Sequence, residues 1–212
     1  MKIMRLAVCT LVGIVGLHSQ ITSSAKAEIS DGTRFHFDLG LTYVDGAYDV
    51  NKQLKASLVD NGYTIQRDYV VPVGLSLNPR VQFGNGLGVG LSLGPTSFIG
   101  IERNGGFNVG QDLSYIIPVG GFVQYNFFRH HNVSPYLRGG VKYPITGGDF
   151  IKSGTIGGYG AVGVQFFNQK RVGVGLEVGY DSSRVTISAG PLDRVARKAT
   201  PTGLNASLVI FF

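Results

Sequence analysis

The chain has 212 residues, of which 15% are charged and 43% hydrophobic, with 32 glycines and no tryptophan. Low charge with dispersed apolar residues favours one domain whose outer surface meets lipid, and disfavours a secreted β-sandwich. Three of the 19 basic residues, Lys2, Arg5 and Lys26, lie in a predicted signal segment. Without them 16 basic residues remain against 13 acidic ones. The resulting net charge of +3 gives no support to nucleic-acid binding.

The amino terminus is predicted to be a cleaved signal peptide covering residues 1–27. Basic residues precede an apolar stretch at 6–17, and Ala25-Lys26-Ala27 has the small-residue pattern of a cleavage site. The apolar stretch is too short to span a membrane as a helix. The only cysteine, Cys9, lies in this segment, so residues 28–212 are predicted to form one domain without a disulfide or a thiol nucleophile.

The first predicted strand covers residues 34–43, where apolar and polar side chains alternate with a period of two. Its polar face carries Arg34 and Asp38, and charged side chains do not face lipid in a membrane barrel. That face is therefore predicted to point into the barrel. The polar stretch at 45–68 is expected to contain a short amphipathic turn, because helical spacing relates its apolar residues Leu54, Leu58 and Val59.

Seven more strands follow from the same alternation. They are predicted over residues 71–83, 87–101, 109–127, 136–143, 156–166, 172–181 and 203–212. Ile99 and Ile101 are expected to continue the outward face of the third strand. Long connections alternate with short ones, which is the pattern of an antiparallel barrel with both termini on one side. Phenylalanines mark the short-turn ends of the strands and tyrosines the other ends, as two aromatic girdles would require.

The last strand ends the chain on an aromatic pair. Its apolar face consists of Leu204, Ala206, Leu208, Ile210 and Phe212. These residues resemble the phenylalanine-ended signature of small outer-membrane barrels of the OmpA-like, OmpX-like and OmpW-like class, which the barrel assembly machinery recognises. The resemblance implies an all-β fold, an eight-stranded antiparallel transmembrane β-barrel with short periplasmic turns and longer extracellular loops. It also implies a monomer in a bacterial outer membrane, in contact with lipid and lipopolysaccharide and without a cofactor.

Seven charged side chains point into the predicted barrel by their parity. They are Arg34, Asp38, Arg80, Arg138, Lys142, Glu177 and Asp181. The interior of an eight-stranded barrel is narrow and filled by side chains, so buried charges there are expected to pair. The favoured hypothesis is a salt-bridged plug that holds the barrel rigid. The alternative is a narrow channel for small solutes or ions. Inward glycines such as Gly90 and Gly175 support this alternative, because they are expected to leave part of the interior unfilled.

An outer-membrane lipid-modifying enzyme is the third hypothesis. Catalysis of that kind needs a nucleophile and a base within hydrogen-bond reach. His36 and Asp38 share the inward face, with Ser76 or Ser207 as the nucleophile, but no nucleophile elbow surrounds either serine. No metal-ligand spacing occurs, and the glycine-rich stretch at 84–90 precedes no helix pattern, which excludes a phosphate loop. No catalytic residue and no metal site are predicted.

The most basic connection is the one before the last strand, residues 182–202. It carries Arg184, Arg194, Arg197 and Lys198. Facing outward, it would contact the phosphates of lipopolysaccharide or a host polyanion, and the alternative is a solvated loop. The overall prediction is a non-enzymatic outer-membrane barrel with a structural or surface-interaction role.

Overall fold

The computed structural model describes residues 32–105, 108–128, 131–148, 150–167, 172–188 and 197–212. The predicted signal peptide, residues 1–27, lies outside the described residues. In chain order the elements are β1 (Arg34–Val44), α1 (Gly46–Asp60), β2 (Thr64–Val71), β3 (Val73–Gln82), β4 (Leu87–Leu93), β5 (Ser97–Gly105), β6 (Asn108–Asn126), β7 (Val133–Gly147), β8 (Ile151–Thr155), β9 (Gly157–Phe166), β10 (Gly173–Asp181), β11 (Arg184–Ile187), β12 (Arg197–Ala199) and β13 (Gly203–Phe211). In the ranges described, no helix is long and apolar enough to cross a membrane.

Eight strands form a closed antiparallel barrel, which confirms the predicted fold. Around the ring their order is β1, β3, β4, β6, β7, β9, β10 and β13, and β13 pairs with β1. Thr42 of β1, for example, lies opposite Gly74 of β3 on one side and Ser207 of β13 on the other. Because closure pairs both edges of each strand, the backbone polar groups of the ring are satisfied inside a membrane.

β10 shows most clearly how lipid-facing and interior side chains are divided. Leu176 is 58% exposed and the adjacent Glu177 only 5%, because successive side chains of a strand point to opposite faces. Outward side chains of the other barrel strands are also apolar and exposed, among them Leu91, Val123, Leu137, Val141, Val162 and Leu208. A continuous exposed apolar belt of this kind fits a wall that is solvated by lipid.

The two ends of the barrel differ in their connections. Short turns join β3 to β4, β6 to β7 and β9 to β10 at one end, the short-turn end. At the opposite end, the capped end, strands continue beyond the ring and form two small sheets. β5 pairs with β2 and with the first part of β6, while β11 pairs with β8 and β12. α1 contacts strands of both sheets, and the whole assembly is the cap.

The cap has an apolar core above the ring of barrel strands. α1 contributes Val50, Leu54 and Leu58, which recur every fourth residue and so share one face of the helix. The sheets contribute Ile99, Ile101, Ile116, Ile151, Val185, Ile187 and Ala199, and the connection between β7 and β8 contributes Phe150. The helix therefore covers the end of the barrel with its buried side chains in contact with both sheets.

Polar contacts fix α1 to the strands beside it. The side-chain amide of Asn51 donates to Asp68 Oδ2 at 2.6 Å, and Lys55 Nζ lies 3.1 Å from the same oxygen. The hydrogen bonds from Asn51 and Lys55 hold the pKa of Asp68 below its usual range, because both favour the ionised carboxylate. At the carboxyl end of the helix, Asp60 pairs with Arg197 of β12. α1 is thereby attached to one sheet through β2 and to the other through β12.

The predicted short amphipathic turn is wrong in length. α1 has 15 residues, and its buried face includes Leu54 and Leu58. Val59, predicted on the same face, is 58% exposed. Three apolar residues in a polar stretch contain too few repeats to set the phase or the length of a helix, and here packing against two sheets sets both.

Two predicted strands are each divided where they leave the barrel. The second predicted strand is broken at Pro72, which cannot donate to a ladder, so that β2 ends and β3 begins there. The third is interrupted at residues 94–96, and its faces exchange across the break. Ile99 and Ile101 therefore point into the cap core and not toward lipid, which corrects the prediction for both.

The long connections at the capped end contain short strands. Residues 182–202, predicted as a loop, contain β11 and β12. The connection between β7 and β9 contains β8, which pairs with β11. These strands are only three to five residues long, so periodicity alone gives too few alternations to identify them.

The assignment of faces predicts different surroundings for two adjacent positions of β10. Single cysteines at 176 and 177, in a chain without Cys9, are labelled with a fluorophore and the protein is inserted into vesicles. We expect lipid-borne spin labels to quench the probe at 176, and we expect the thiol at 177 of the folded protein to take up no fluorophore, because the filled interior has no room for it. Leu176→Arg should also cost about 2–4 kcal/mol of stability, because it places a cation against the hydrocarbon. Quenching at 177 alone would mean that the register is inverted.

The cap core predicts a second result, which compares two positions of α1. Leu54→Ala removes a fully buried side chain and should destabilise the cap locally by about 2–5 kcal/mol. Val59→Ala, on the exposed side of the same helix, should change stability by about 0.5 kcal/mol or less. Hydrogen exchange of the α1 amides measures both, while heat-modifiable migration on a gel checks that the barrel is intact. Equal exchange rates in the two variants would contradict the packing described here.

Candidate functional site

Arg138 of β7 occupies the centre of the barrel interior. Its Nη2 lies 3.0 Å from Oδ2 of Asp38 on β1, and its Nη1 lies 3.1 Å from Oε2 of Glu177 on β10. All three side chains are buried. β7 and β1 are diametrically opposed in the ring of eight strands. The ion pair between Arg138 and Asp38 therefore crosses the full width of the barrel.

A second arginine, Arg80 of β3, contacts Asp38 from the neighbouring strand. Its Nε lies 3.1 Å from Oδ2 of Asp38, and its Nη1 donates to the side-chain oxygen of Gln82. Asp38 thus accepts hydrogen bonds from two guanidinium groups. Two arginines face two carboxylates in this cluster, so the four buried charges are balanced, which is the condition for burying them at tolerable cost.

Glu177 is held by two phenol groups as well as by Arg138. The hydroxyl of Tyr136 donates to its Oε2 at 2.9 Å, and that of Tyr159 donates to its Oε1 at 2.7 Å. The guanidinium of Arg138 also lies 4.5 Å from the ring centroid of Phe122, within the range of a cation–π contact. Aromatic rings thus fill the space around the charges and leave little room for water.

A chain of amides continues the network toward the short-turn end. Gln124 Oε1 accepts from Arg138 Nε at 2.9 Å. Gln124 Nε2 donates to Asn126 at 2.7 Å, and Asn126 Nδ2 donates to Gln165 at 3.3 Å. These uncharged residues are absent from the predicted site. Their inward parity was a sufficient signal, because an inward amide in a filled interior requires a partner.

The other three predicted interior charges occupy different places. Lys142 is buried nearer the capped end, with its Nζ 4.0 Å from the ring centroid of Tyr159. Asp181 is buried at the end of β10, where it accepts a hydrogen bond from the backbone N–H of Ser183 at 2.9 Å. Arg34 differs from the prediction, because it is exposed at the short-turn end. As the first residue of β1 it has the inward parity but lies at the rim of the barrel.

At the level of the ion pairs the barrel interior retains very little free volume. A cavity beside Arg138, Lys142 and Glu177 measures about 10 Å³. A single water molecule needs roughly that volume, so the cavity offers no path for a solute. The network of ion pairs and hydrogen bonds fills this level of the barrel.

Inward glycines do not leave the space that the channel hypothesis assumed. A Cβ at Gly90 would collide with the side chains of Arg80 and Phe122. A Cβ at Gly175 would collide with the ring of Phe211 and with the neighbouring strand. Each glycine is needed because a large side chain from another strand occupies the volume in front of it. Small and large interior residues are thus complementary.

The residues considered for an enzyme do not come together. Asp38 is held by two arginines, and the ladders place Ser76 and Ser207 opposite β1 positions four and six residues beyond His36. Those positions lie roughly 13 and 20 Å away along the strand. Both serines instead flank Thr42, whose Oγ1 lies 2.8 Å from Ser207 Oγ. Among the residues that the structure describes, no three His, Cys, Asp or Glu side chains converge as metal ligands.

The predicted polyanion-contact residues are found in different environments. Arg184 of β11 and Lys198 of β12 are exposed on the outer side of the cap. Arg197 is half-buried and pairs with Asp60 of α1. Arg194 lies outside the described residues. Of the described residues of this set, Arg184 and Lys198 are therefore exposed on the outer surface.

The five residues of the predicted assembly signature follow the alternation of β13. Leu204, Ala206 and Leu208 are exposed, and Ile210 and Phe212 at the end of the chain are partly buried. β13 closes the ring between β1 and β10. Recognition of this strand by the assembly machinery stays a prediction.

Comparison with known proteins identifies the fold. No protein-family model matches the chain, and no curated protein matches its sequence. Among solved structures, the outer membrane protein OprG of Pseudomonas aeruginosa is similar with a TM-score of 0.53 and 14% identity, over 85% of this chain and 94% of OprG. Ail of Yersinia pestis gives a TM-score of 0.43 and 11% identity over 84% and 95% of the two chains. Neisserial surface protein A gives a TM-score of 0.36 and 12% identity, over 85% of this chain and 96% of that protein. The resemblance to small eight-stranded outer-membrane barrels is confirmed as a likeness of fold.

The central position of Arg138 predicts a large effect of its removal. Arg138→Met leaves the buried carboxylate of Glu177 without a cation, and we expect a loss of about 3–5 kcal/mol in the free energy of unfolding. Arg184→Met, which removes an exposed arginine, is the control and should cost about 0.5 kcal/mol or less. Urea unfolding of the inserted barrel measures both. Adding Glu177→Gln to Arg138→Met should restore part of the loss, and a loss below about 1 kcal/mol for Arg138→Met alone would contradict a buried ion pair.

Proposed function

We propose that this protein is a non-enzymatic, monomeric β-barrel of a bacterial outer membrane, closed to solutes, that carries a folded cap at the cell surface. In this proposal the short-turn end lies in the periplasm and the cap lies outside. Its role is structural or lies in interaction with molecules at the surface. The observation that carries the proposal is a double closure, in which a salt-bridged interior lies beneath an apolar cap core.

The interior supports the structural part of this function. Arg138 joins β7 to both β1 and β10, and Arg80 joins β3 to β1. Contacts between strands that are not neighbours resist flattening of the ring, so the cluster stiffens the barrel. A conducting pore would need a continuous file of water past these groups, and the side chains of Tyr136, Tyr159 and Phe122 occupy that space.

The cap supports the surface part of this function. A loop serving only as a connection needs no core of its own, yet here eleven buried residues pack together beyond the barrel. The core fixes α1 and two sheets in one arrangement, and a fixed surface binds a partner without an ordering cost. The outward faces of α1 and of the two sheets are the surfaces that this arrangement presents.

Conductance across a planar bilayer tests the proposal. We expect the wild-type protein to give no steady channels, because the cluster and the cap core are two successive barriers. The double variant Arg138→Ser and Glu177→Ser removes only the central barrier and should also give no steady channels, because the cap core remains. Correct insertion is checked for each protein by heat-modifiable migration. Steady channels from the folded wild-type protein would overturn the proposal in favour of a narrow pore.

A further inference from the structure

We propose that the outward face of the β8–β11–β12 sheet and a groove beneath it on the barrel wall together bind one acylated, phosphate-bearing lipid of the outer leaflet. The inference rests on the outer-membrane placement proposed above, and it names a partner for the cap. Two independent features carry it, one of charge and one of shape. Both lie on the same side of the molecule.

The first step is that this sheet continues the lipid-facing wall. From Val172 to Ile187, buried and less buried residues alternate without a break, through β10 and into β11. Leu176, Val178 and Tyr180 are exposed on the barrel wall, and Ser182 and Arg184 follow on the same face. Since the strand never exchanges its faces, the outward side of β11 lies directly above the lipid-facing side of β10.

The second step concerns the chemistry of that outward side, which we call the basic face. In the ladders, Thr186 lies opposite Lys198 on one side and Ser153 on the other, and Arg184 lies opposite Thr155. Directly opposed residues share a face of a sheet, so these cations and hydroxyls are neighbours. Lys152, in the irregular step of the β8–β11 ladder, is also exposed. The basic face consists of Lys152, Ser153, Thr155, Arg184, Thr186 and Lys198.

The balance of charge on the basic face fits an anion. Three cations lie among three hydroxyl groups, and none of the described residues on this face is acidic. Arg197, the fourth basic residue of the sheet, is engaged by Asp60 and is directed to α1. Guanidinium and ammonium groups with hydroxyl donors are the groups that bind phosphate oxygens. The chemistry therefore favours a phosphate ester over a neutral head group.

The third step is the height of the basic face above the membrane. Tyr180, exposed at the end of the barrel wall, has the position of an interfacial aromatic residue. Arg184 lies four residues farther, about 13 Å along the strand. With a strand tilt of about 40°, the rise is about 10 Å, which reaches the head-group layer and its outer boundary. The cations are thus at the level of lipid phosphates and not far out in solution.

The fourth step is the groove beneath the basic face, which we call the wall groove. It has a volume of about 710 Å³ and runs across β6, β7, β9 and β10 between Val123, Leu137, Val162 and Val178. Gly139 and Gly160 lie opposite each other in the β7–β9 ladder. Because neither residue has a side chain, the pair forms the floor of the groove. A Cβ at Gly160 would meet no atom within 4 Å, so the missing side chain is not required by packing within the protein.

The basic face and the wall groove together indicate which molecule binds here. The wall groove lies in the hydrocarbon region and is apolar, so an acyl chain fits it. β9 and β10 line the groove, and their continuations β8 and β11 carry the basic face. A lipid seated with its chain in the groove has its head group at these cations. A soluble polyanion would use only the basic face and would gain nothing from the groove.

Binding of a diphosphorylated lipid A tests the proposal with the whole inserted protein. Folded protein in neutral detergent is titrated with lipid A, with the same lipid after removal of its phosphates, and with inorganic phosphate, and bound molecules are counted by native mass spectrometry. We expect one lipid A per barrel, retained about 100-fold more tightly than the dephosphorylated lipid, since each of the three cations near an anionic head group contributes about fivefold. Inorganic phosphate should not bind at the same concentrations.

Two variants separate the features, each with a matched control. Arg184→Gln with Lys198→Gln should weaken lipid A binding about 30-fold. Lys52→Gln with Arg67→Gln removes two cap cations outside the basic face and should leave it unchanged. Gly160→Leu fills the groove and should weaken binding about fivefold, the loss of roughly ten carbon contacts. Its control is Gly121→Leu, an outward position of β6 that does not line the groove.

Several results would overturn this inference. Equal affinity for phosphorylated and dephosphorylated lipid would remove the role of the basic face. Equal losses in the variants and in their controls would show that the site is elsewhere. Binding of a soluble sulfated polysaccharide that is insensitive to Gly160→Leu, without selection of lipid A, would assign the basic face to a soluble polyanion. Where a double variant fails to fold, Arg184→Gln alone decides. Conductance and lipid binding are measured independently. A barrel that conducts ions and still selects lipid A would refute the proposed closed barrel but would support this inference.

Discussion

One ion pair spans the barrel, and the rest of the interior is arranged around it. Arg138 reaches from β7 to Asp38 on the opposite wall and to Glu177 on a strand between them. An arginine side chain can cross the ring only because eight strands enclose so narrow an interior. The same narrowness excludes water, so each charge must find its partner inside the protein. The geometry of the ring thus requires the pairing, and the pairing in turn fixes the distance between opposite walls.

The volume of the interior is divided by the same constraint. A barrel of fixed circumference has no room for large side chains at every inward position, and the chain alternates them with glycine. Gly90 faces Phe122 and Arg80, while Gly175 faces Phe211. A glycine count taken alone indicates empty space. Placed in the ladders, the same glycines indicate where aromatic and guanidinium groups from other strands are accommodated.

The barrel was predictable from sequence, and the cap was not. Alternation gave the inward parity of Asp38, Arg80, Arg138 and Glu177 because a pleated strand leaves each residue only two directions. Parity does not give the height of a residue along the barrel or the reach of its side chain. It therefore predicted neither the contact between Arg138 and Asp38 across the barrel nor the position of Arg34 at the rim. The cap strands are too short for a period to be counted. The phase of α1 depends on the two sheets around it, which are formed by residues far away in the chain.

The cap is built by prolonging barrel strands and not by inserting a separate domain, which has a physical consequence. β6 runs from the cap core, where Ile116 is buried, to the interior network at Gln124 without exchanging its faces. β10 and β11 keep their faces across the same boundary. Hydrogen-bonded ladders therefore set the height and rotation of the cap relative to the membrane, because a slip of one residue would turn every interior charge toward lipid. The stiffness supplied by the charges inside the barrel is in this way transmitted to the surface that the cap presents.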